Sequence, residues 1–97
     1  MTEKDIHLGI QVVPLDHSKD TYAIIDEAIK VIEQSGLKYI VTPMETVIQG
    51  PYDEANKIAQ KAQAALVSAG CKEFLVNIRM HIRTDDDVTM EEKRLDR

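Results

Sequence analysis

Cysteine is nearly absent: the chain of 97 residues carries one, Cys71. A single thiol excludes an internal disulfide and a cysteine-based zinc cluster. Long apolar runs are missing as well. No stretch approaches the roughly 20 residues that span a bilayer. The opening Met1-Thr2-Glu3-Lys4-Asp5 has no apolar core of the kind a secretory signal needs. Basic charge is in deficit, with 12 Lys+Arg against 17 Asp+Glu and a net charge of −5. Nucleic-acid binding calls for a basic patch, so nucleic acid is not an expected partner. There is no glycine-rich phosphate loop, internal repeat, low-complexity segment or linker. These absences predict a cytoplasmic protein with no membrane partner and no cofactor.

What is present suits a soluble globular domain: 43% hydrophobic and 30% charged residues. The whole chain, 1–97, reads as one domain. At this length folding buries only roughly two-thirds of the unfolded surface, so association into oligomers would add stability.

Apolar residues alternate from Ile6 to Val13, with Ile6, Leu8, Ile10 and Val12 facing one way and His7, Gly9, Gln11 and Val13 the other. That is a strand, closed by Pro14. After a loop, Asp20 or Ser18 can cap a helix in which Ile24, Ile25, Ala28, Val31 and Ile32 fall at three-to-four spacing. Gly36 is the expected left-handed stop. Leu37 to Thr42 and Thr46 to Gln49 read as a hairpin around Pro43-Met44-Glu45. Pro51 suits the first turn of a second helix, with a small-residue stripe of Ala55, Ala59, Ala62, Ala65 and Ala69. Gly70 ends it. Lys72 to Arg83 is the last strand, followed by Asp85-Asp86-Asp87 as a solvated loop and a short helix capped by Thr89 and carrying Met90 and Leu95.

The order β-α-β-β-α-β predicts an α+β fold of the ferredoxin-like, split βαβ type. Right-handed crossovers put both helices on one face of a four-stranded antiparallel sheet of order 4-1-3-2. The opposite face is expected to lie open, lined by Gln11, Asn77, Arg79 and His81, with Thr42 or Thr46 near the hairpin. An open face and a hairpin edge with few charges predict a homodimer or homotetramer.

Five elements resemble a known family. They are Val12-Val13-Pro14-Leu15, Ser35-Gly36-Leu37-Lys38-Tyr39, Thr42-Pro43-Met44-Glu45-Thr46-Val47-Ile48-Gln49-Gly50, Asn77-Ile78-Arg79-Met80 and Thr89-Met90-Glu91-Glu92-Lys93. Together, from about Ile6 to Lys93, they are similar to the small YkoF-like thiamine-binding family. The resemblance implies a ferredoxin-like oligomer that binds thiamine or its hydroxymethylpyrimidine part without catalysis. Four positions depart from the family's tendency: Glu45 for Gly, Gln49 for Glu, Gln11 for Ser and Asn77 for Ser.

Thiamine combines an aminopyrimidine with donor and acceptor edges, an apolar bridge and a cationic thiazolium. Under this resemblance the ligand-binding candidates are Gln11, Thr42, Met44, Thr46, Asn77 and Arg79. The amides of Gln11 and Asn77 can donate and accept; the alternative is that they pair with each other across the sheet. Thr42 and Thr46 either meet a heterocycle edge or serve as ordinary strand residues. Met44 offers a flexible apolar surface. Glu45 either neutralises a thiazolium or is solvated. The net charge predicts thiamine over its diphosphate, while Arg79 and Arg83 argue the other way. Other functions stay open: a small enzyme using His81 or His7 as a base, or a pure interaction module. His7 and His81 share a face but lack an evident third metal ligand. Cys71 reads as a buried, inert thiol.

Overall fold

A computed structural model describes residues 3–16 and 20–94. The elements follow the expected order: β1 (Asp5–Pro14), α1 (Thr21–Glu33), β2 (Lys38–Val41), β3 (Thr46–Pro51), α2 (Tyr52–Ser68), β4 (Phe74–His81) and a three-residue 3-10 turn, Glu91–Lys93. The sheet order is β2-β3-β1-β4 with every pair antiparallel. This is the ferredoxin-like α+β fold. No helix among the described residues is long and apolar enough to cross a membrane.

Local chemistry sets the boundaries. The Asp20 carboxylate accepts from the backbone N–H groups of Tyr22 and Ala23 at 3.0 and 3.4 Å, capping α1; the alternative cap, Ser18, lies outside the described residues. After α1 the chain turns at Gly36, with φ of +82°. Beside it the Ser35 hydroxyl donates to the Ile32 carbonyl at 2.6 Å and accepts from the Leu37 N–H at 3.1 Å. Gly70, with φ of +89°, does the same service after α2. Pro51 differs from expectation: it closes β3 and caps α2 from outside the helix. Its missing N–H costs nothing at a strand end.

The pleat divides β1 into two faces. Ile6, Leu8 and Ile10 face the helices and pack with Ile48 of β3, Ile24, Ala28 and Ile32 of α1, and Ala55, Ala59, Ala62 and Leu66 of α2. The alanines bring α2 close to the sheet. Cys71 is buried at the edge of this core and its thiol donates to the Glu73 carbonyl at 3.3 Å. Phe74 and Val76 of β4 pack onto the same core. Ile78 and Met80 share that face, yet are 37% and 39% exposed.

The opposite face is not uniformly open. Beyond β4 the chain folds back over one end of it. Asp87 Oδ1 accepts from the Asp5 N–H at 2.8 Å, and the Val88 N–H donates to the Asp5 carbonyl at 3.0 Å. Val88 is fully buried. Gln49 accepts from the Met90 N–H at 2.9 Å. Asp87 is therefore an anchor, while Asp85, Asp86 and Asp87 all stay exposed, as a solvated run should. The final helix is shorter than expected, and Leu95 lies outside the described residues.

Leu8 has no exposed surface and sits between both helices and both neighbouring strands. Leu8→Ala is expected to lower the unfolding free energy by about 2–5 kcal/mol, read from the urea midpoint of the two proteins.

Candidate functional site

The hairpin tip is built around one hydroxyl. Thr42 Oγ1 donates to the Glu45 carbonyl at 2.6 Å and accepts from the N–H groups of Met44 and Glu45 at 3.3 and 3.0 Å. The Thr42 N–H closes the turn onto the same carbonyl at 2.9 Å. Thr42 thus shapes the tip, and its hydroxyl is already engaged.

β3 pairs with β1 only as far as Ile10, opposite Thr46. Past that point the hairpin turns away and a cleft of about 230 Å³ opens between the tip, β1 and α1. Its walls are apolar, from Ile10, Val12, Ile25, Ile29, Val41 and Met44, with Gln11, Thr42, Glu45 and Thr46 at its polar positions. Thr46 lies opposite Ile10 and Val41, so it faces the helices. This corrects the expected placement beside the bare face. The pairing of β3 with β1 sets it: Ile48 must face the core opposite Leu8, and period two carries Thr46 with it. Thr46 is 6% exposed.

Across the tip, on the face away from the helices, Gln11, Met44 and Glu45 also border a depression with Asn77 and Arg79. There Asn77 Nδ2 donates to Gln11 Oε1 at 3.1 Å across the β1–β4 ladder. Two of the candidate amides therefore pair with each other. Glu45 is not solvated: its carboxylate lies across Gly9 and accepts from Arg79 at 3.1 and 3.2 Å. A Cβ at position 9 would lie 2.9 Å from that carboxyl carbon. A glycine in the middle of a strand was the one sequence signal for such a close approach. The ion pair is weak in energy, worth about 1 kcal/mol at most, because the Arg79 side chain is 82% exposed.

The six candidates thus fall on two sides of one tip. Gln11, Thr42, Met44 and Thr46 border the helix-side cleft; Gln11 and Met44, with Asn77 and Arg79, border the opposite depression. Arg83 is committed elsewhere. Its guanidinium grips Glu92 at 2.7 and 2.6 Å and donates to the Asp87 carbonyl at 3.0 Å. Glu92 also accepts from the Thr89 N–H, and the Thr89 hydroxyl accepts from the Glu92 N–H, a reciprocal cap.

His7 and His81 are opposite each other on β1 and β4. Among the described residues no group of three His, Cys, Asp or Glu side chains converges as metal ligands do. His7 is buried, and its Nε2 donates at 3.4 Å to Gln49 Oε1, whose Nε2 in turn donates to Asp5 at 3.1 Å. The group facing this imidazole is an amide, not the carboxylate that would raise its basicity. Burial holds the His7 pKa below its ordinary 6.5, with the Lys93 charge acting in the same direction.

Topology and strand order define the ferredoxin-like class. Within it, the chain belongs to the family of thiamine-binding proteins, which it matches over residues 8–96. It is similar to a UPF0045 protein of Clostridium perfringens, 29% identical over 87 residues and 90% of each chain. A solved domain of unknown function from Bacillus cereus shares 38% identity and superposes with a TM-score of 0.88, covering 93% of this chain and 86% of that one. A solved protein of Thermotoga maritima, described as a candidate for thiamine biosynthesis or salvage, shares 27% identity with a TM-score of 0.82, over 92% and 94% of the two chains.

The buried imidazole and the capped Glu92 give stability a defined pH dependence. Folding disfavours protonated His7, so stability is full above about 6.5 and falls as pH drops through the lowered His7 value. Glu92 is held at about 2, chiefly by its hydrogen bonds to Arg83. Its share is full above 4.5 and is lost as pH falls towards 2. Urea midpoints measured from pH 8 to 3 are expected to decline in two steps, and His7→Gln to remove the upper step alone.

Proposed function

We propose that the protein binds thiamine, or its hydroxymethylpyrimidine part, as a non-catalytic homo-oligomer in the cytoplasm. The observation that carries this reading is the helix-side cleft in a chain of the thiamine-binding family. Its apolar walls suit a flat heterocycle, and Thr46 faces it where a ring edge needs a hydrogen-bond partner, with Gln11 at the rim the cleft shares with the opposite depression. At about 230 Å³ the cleft falls below the roughly 300–1,000 Å³ of sites that enclose a whole drug-sized ligand. It matches the pyrimidine, leaving the thiazolium outside beside Met44 and Glu45. In this reading Thr42 positions the tip, Asn77 orients the Gln11 amide and Arg79 holds Glu45. The Thermotoga maritima neighbour supports a thiamine-related role by its description.

Association is supported by the two edge strands. Ile40 and Val41 of β2 are 46% and 47% exposed, and Leu75 of β4 is exposed as well. Unprotected apolar edges invite a second copy. Light scattering at micromolar concentration is expected to give a dimer or tetramer; a monomeric mass would remove the oligomer from this reading.

Calorimetric titration with thiamine and with hydroxymethylpyrimidine tests the ligand. Both are expected to bind. Thr46→Val and Gln11→Ala each leave a ligand group unpaired, a cost of about 1–3 kcal/mol, or roughly tenfold to hundredfold in affinity. Asn77→Ala should cost less, because its effect passes through Gln11. Normal binding by both Thr46→Val and Gln11→Ala would move the ligand out of the cleft.

A further inference from the structure

The depression on the sheet face away from the helices, toward its strap-covered end, has a chemistry of its own. Arg79 and His81 of β4, His7 of β1 and Lys93 of the 3-10 turn line one depression of about 340 Å³. Two cations, Arg79 and Lys93, gather there with the His7 and His81 rings, from three elements, in a chain whose net charge is −5. Among the residues that line it, Glu45 is the acidic one, and it reaches in from the hairpin tip. The other carboxylate near His7, that of Glu92, is held by Arg83 and Thr89.

Gly9 supplies the floor. The Glu45 carboxylate rests on it where any Cβ would collide, at 2.9 Å from the carboxyl carbon and from one oxygen. An anionic group is thus already seated on the backbone of β1, against the Arg79 guanidinium at 3.1 and 3.2 Å. The seat is easily vacated. The carboxylate is the far end of a flexible side chain, and its partner Arg79 is largely exposed.

We propose that this depression binds a phosphoryl-type anion, and that the Glu45 carboxylate is its internal stand-in. A guanidinium presents paired N–H donors that match phosphoryl oxygens as they match a carboxylate. Lys93 and His81 add donors that Glu45 does not engage, while His7 keeps its ring N–H on Gln49. The whole-chain charge opposes any anion, so recognition is local and short-ranged. The site does not depend on thiamine binding in the helix-side cleft.

The test is calorimetric titration of the full chain with inorganic pyrophosphate at constant ionic strength, with chloride as the control anion. Pyrophosphate is expected to bind where chloride does not. Glu45→Gln removes the internal competitor and is expected to tighten binding roughly fivefold or more. Arg79→Gln, an exposed position whose loss leaves the core intact, is expected to weaken it roughly tenfold or more, with Lys93→Gln weaker to a lesser degree. Parallel titrations with thiamine and thiamine diphosphate identify the source of the phosphoryl group. Tighter binding of the diphosphate, lost in Arg79→Gln, assigns it to the phosphorylated vitamin. Equal binding of the two, with pyrophosphate still bound, assigns it to a free anion. Absence of pyrophosphate binding in both the unmodified protein and Glu45→Gln overturns the proposal, as does an Arg79→Gln protein that binds unchanged.

Discussion

The pairing register of β1 governs everything else. It is held on both sides, by β3 and by β4, so its pleat sorts its side chains for the whole sheet. A slip of one residue would send Leu8 and Ile10 to the solvent and bring His7 and Gly9 under the helices. The same register sets Gly9 opposite Val47 and Arg79 and so lets Glu45 cross the strand. Core and polar surface are two readings of one alternation.

The hairpin tip is where those two faces meet. Because β3 stops pairing at Thr46, the tip overhangs both the helix-side cleft and the opposite depression. Met44 and Glu45 border each of them. A change at one side, such as release of Glu45 from Arg79, alters a wall of the other. The coupling needs no movement of the core, since both residues lie in a turn tied together by the Thr42 hydroxyl.

Much of this was legible in the chain. Period two over residues 6–13 gives β1 and its faces; Asp20, Gly36 and Gly70 give the helix limits; the element order gives the strand order. Thr46 was not, because a short strand read by itself has no face until its partner supplies one. Nor was the folding-back of residues 84–94, whose anchors are single polar groups: Asp87 on Asp5, Met90 on Gln49. Such contacts join positions far apart in the chain and leave no periodic trace. The burial of His7 against Gln49 follows from the same long-range cover. Gln11 and Asn77, placed on one face by alternation, do meet, and their contact with each other is as visible in the pattern as any ligand would have been.

The tie between Asp5 and Asp87 spans 82 positions, and β1 completes its sheet only when β4, late in the chain, arrives. Translation adds about 5–20 residues per second and His81 follows its partner His7 by 74 positions, so β1 spends roughly 4–15 s before its second neighbour is complete. During that interval the apolar run Ile6, Leu8, Ile10 is a half-covered strand beside other nascent chains. Gly9 and His7, set between those residues, weaken the run's tendency to pair with strangers. The missing side chain that gives a carboxylate its resting place is also, earlier in the molecule's life, an interruption in an otherwise adhesive segment.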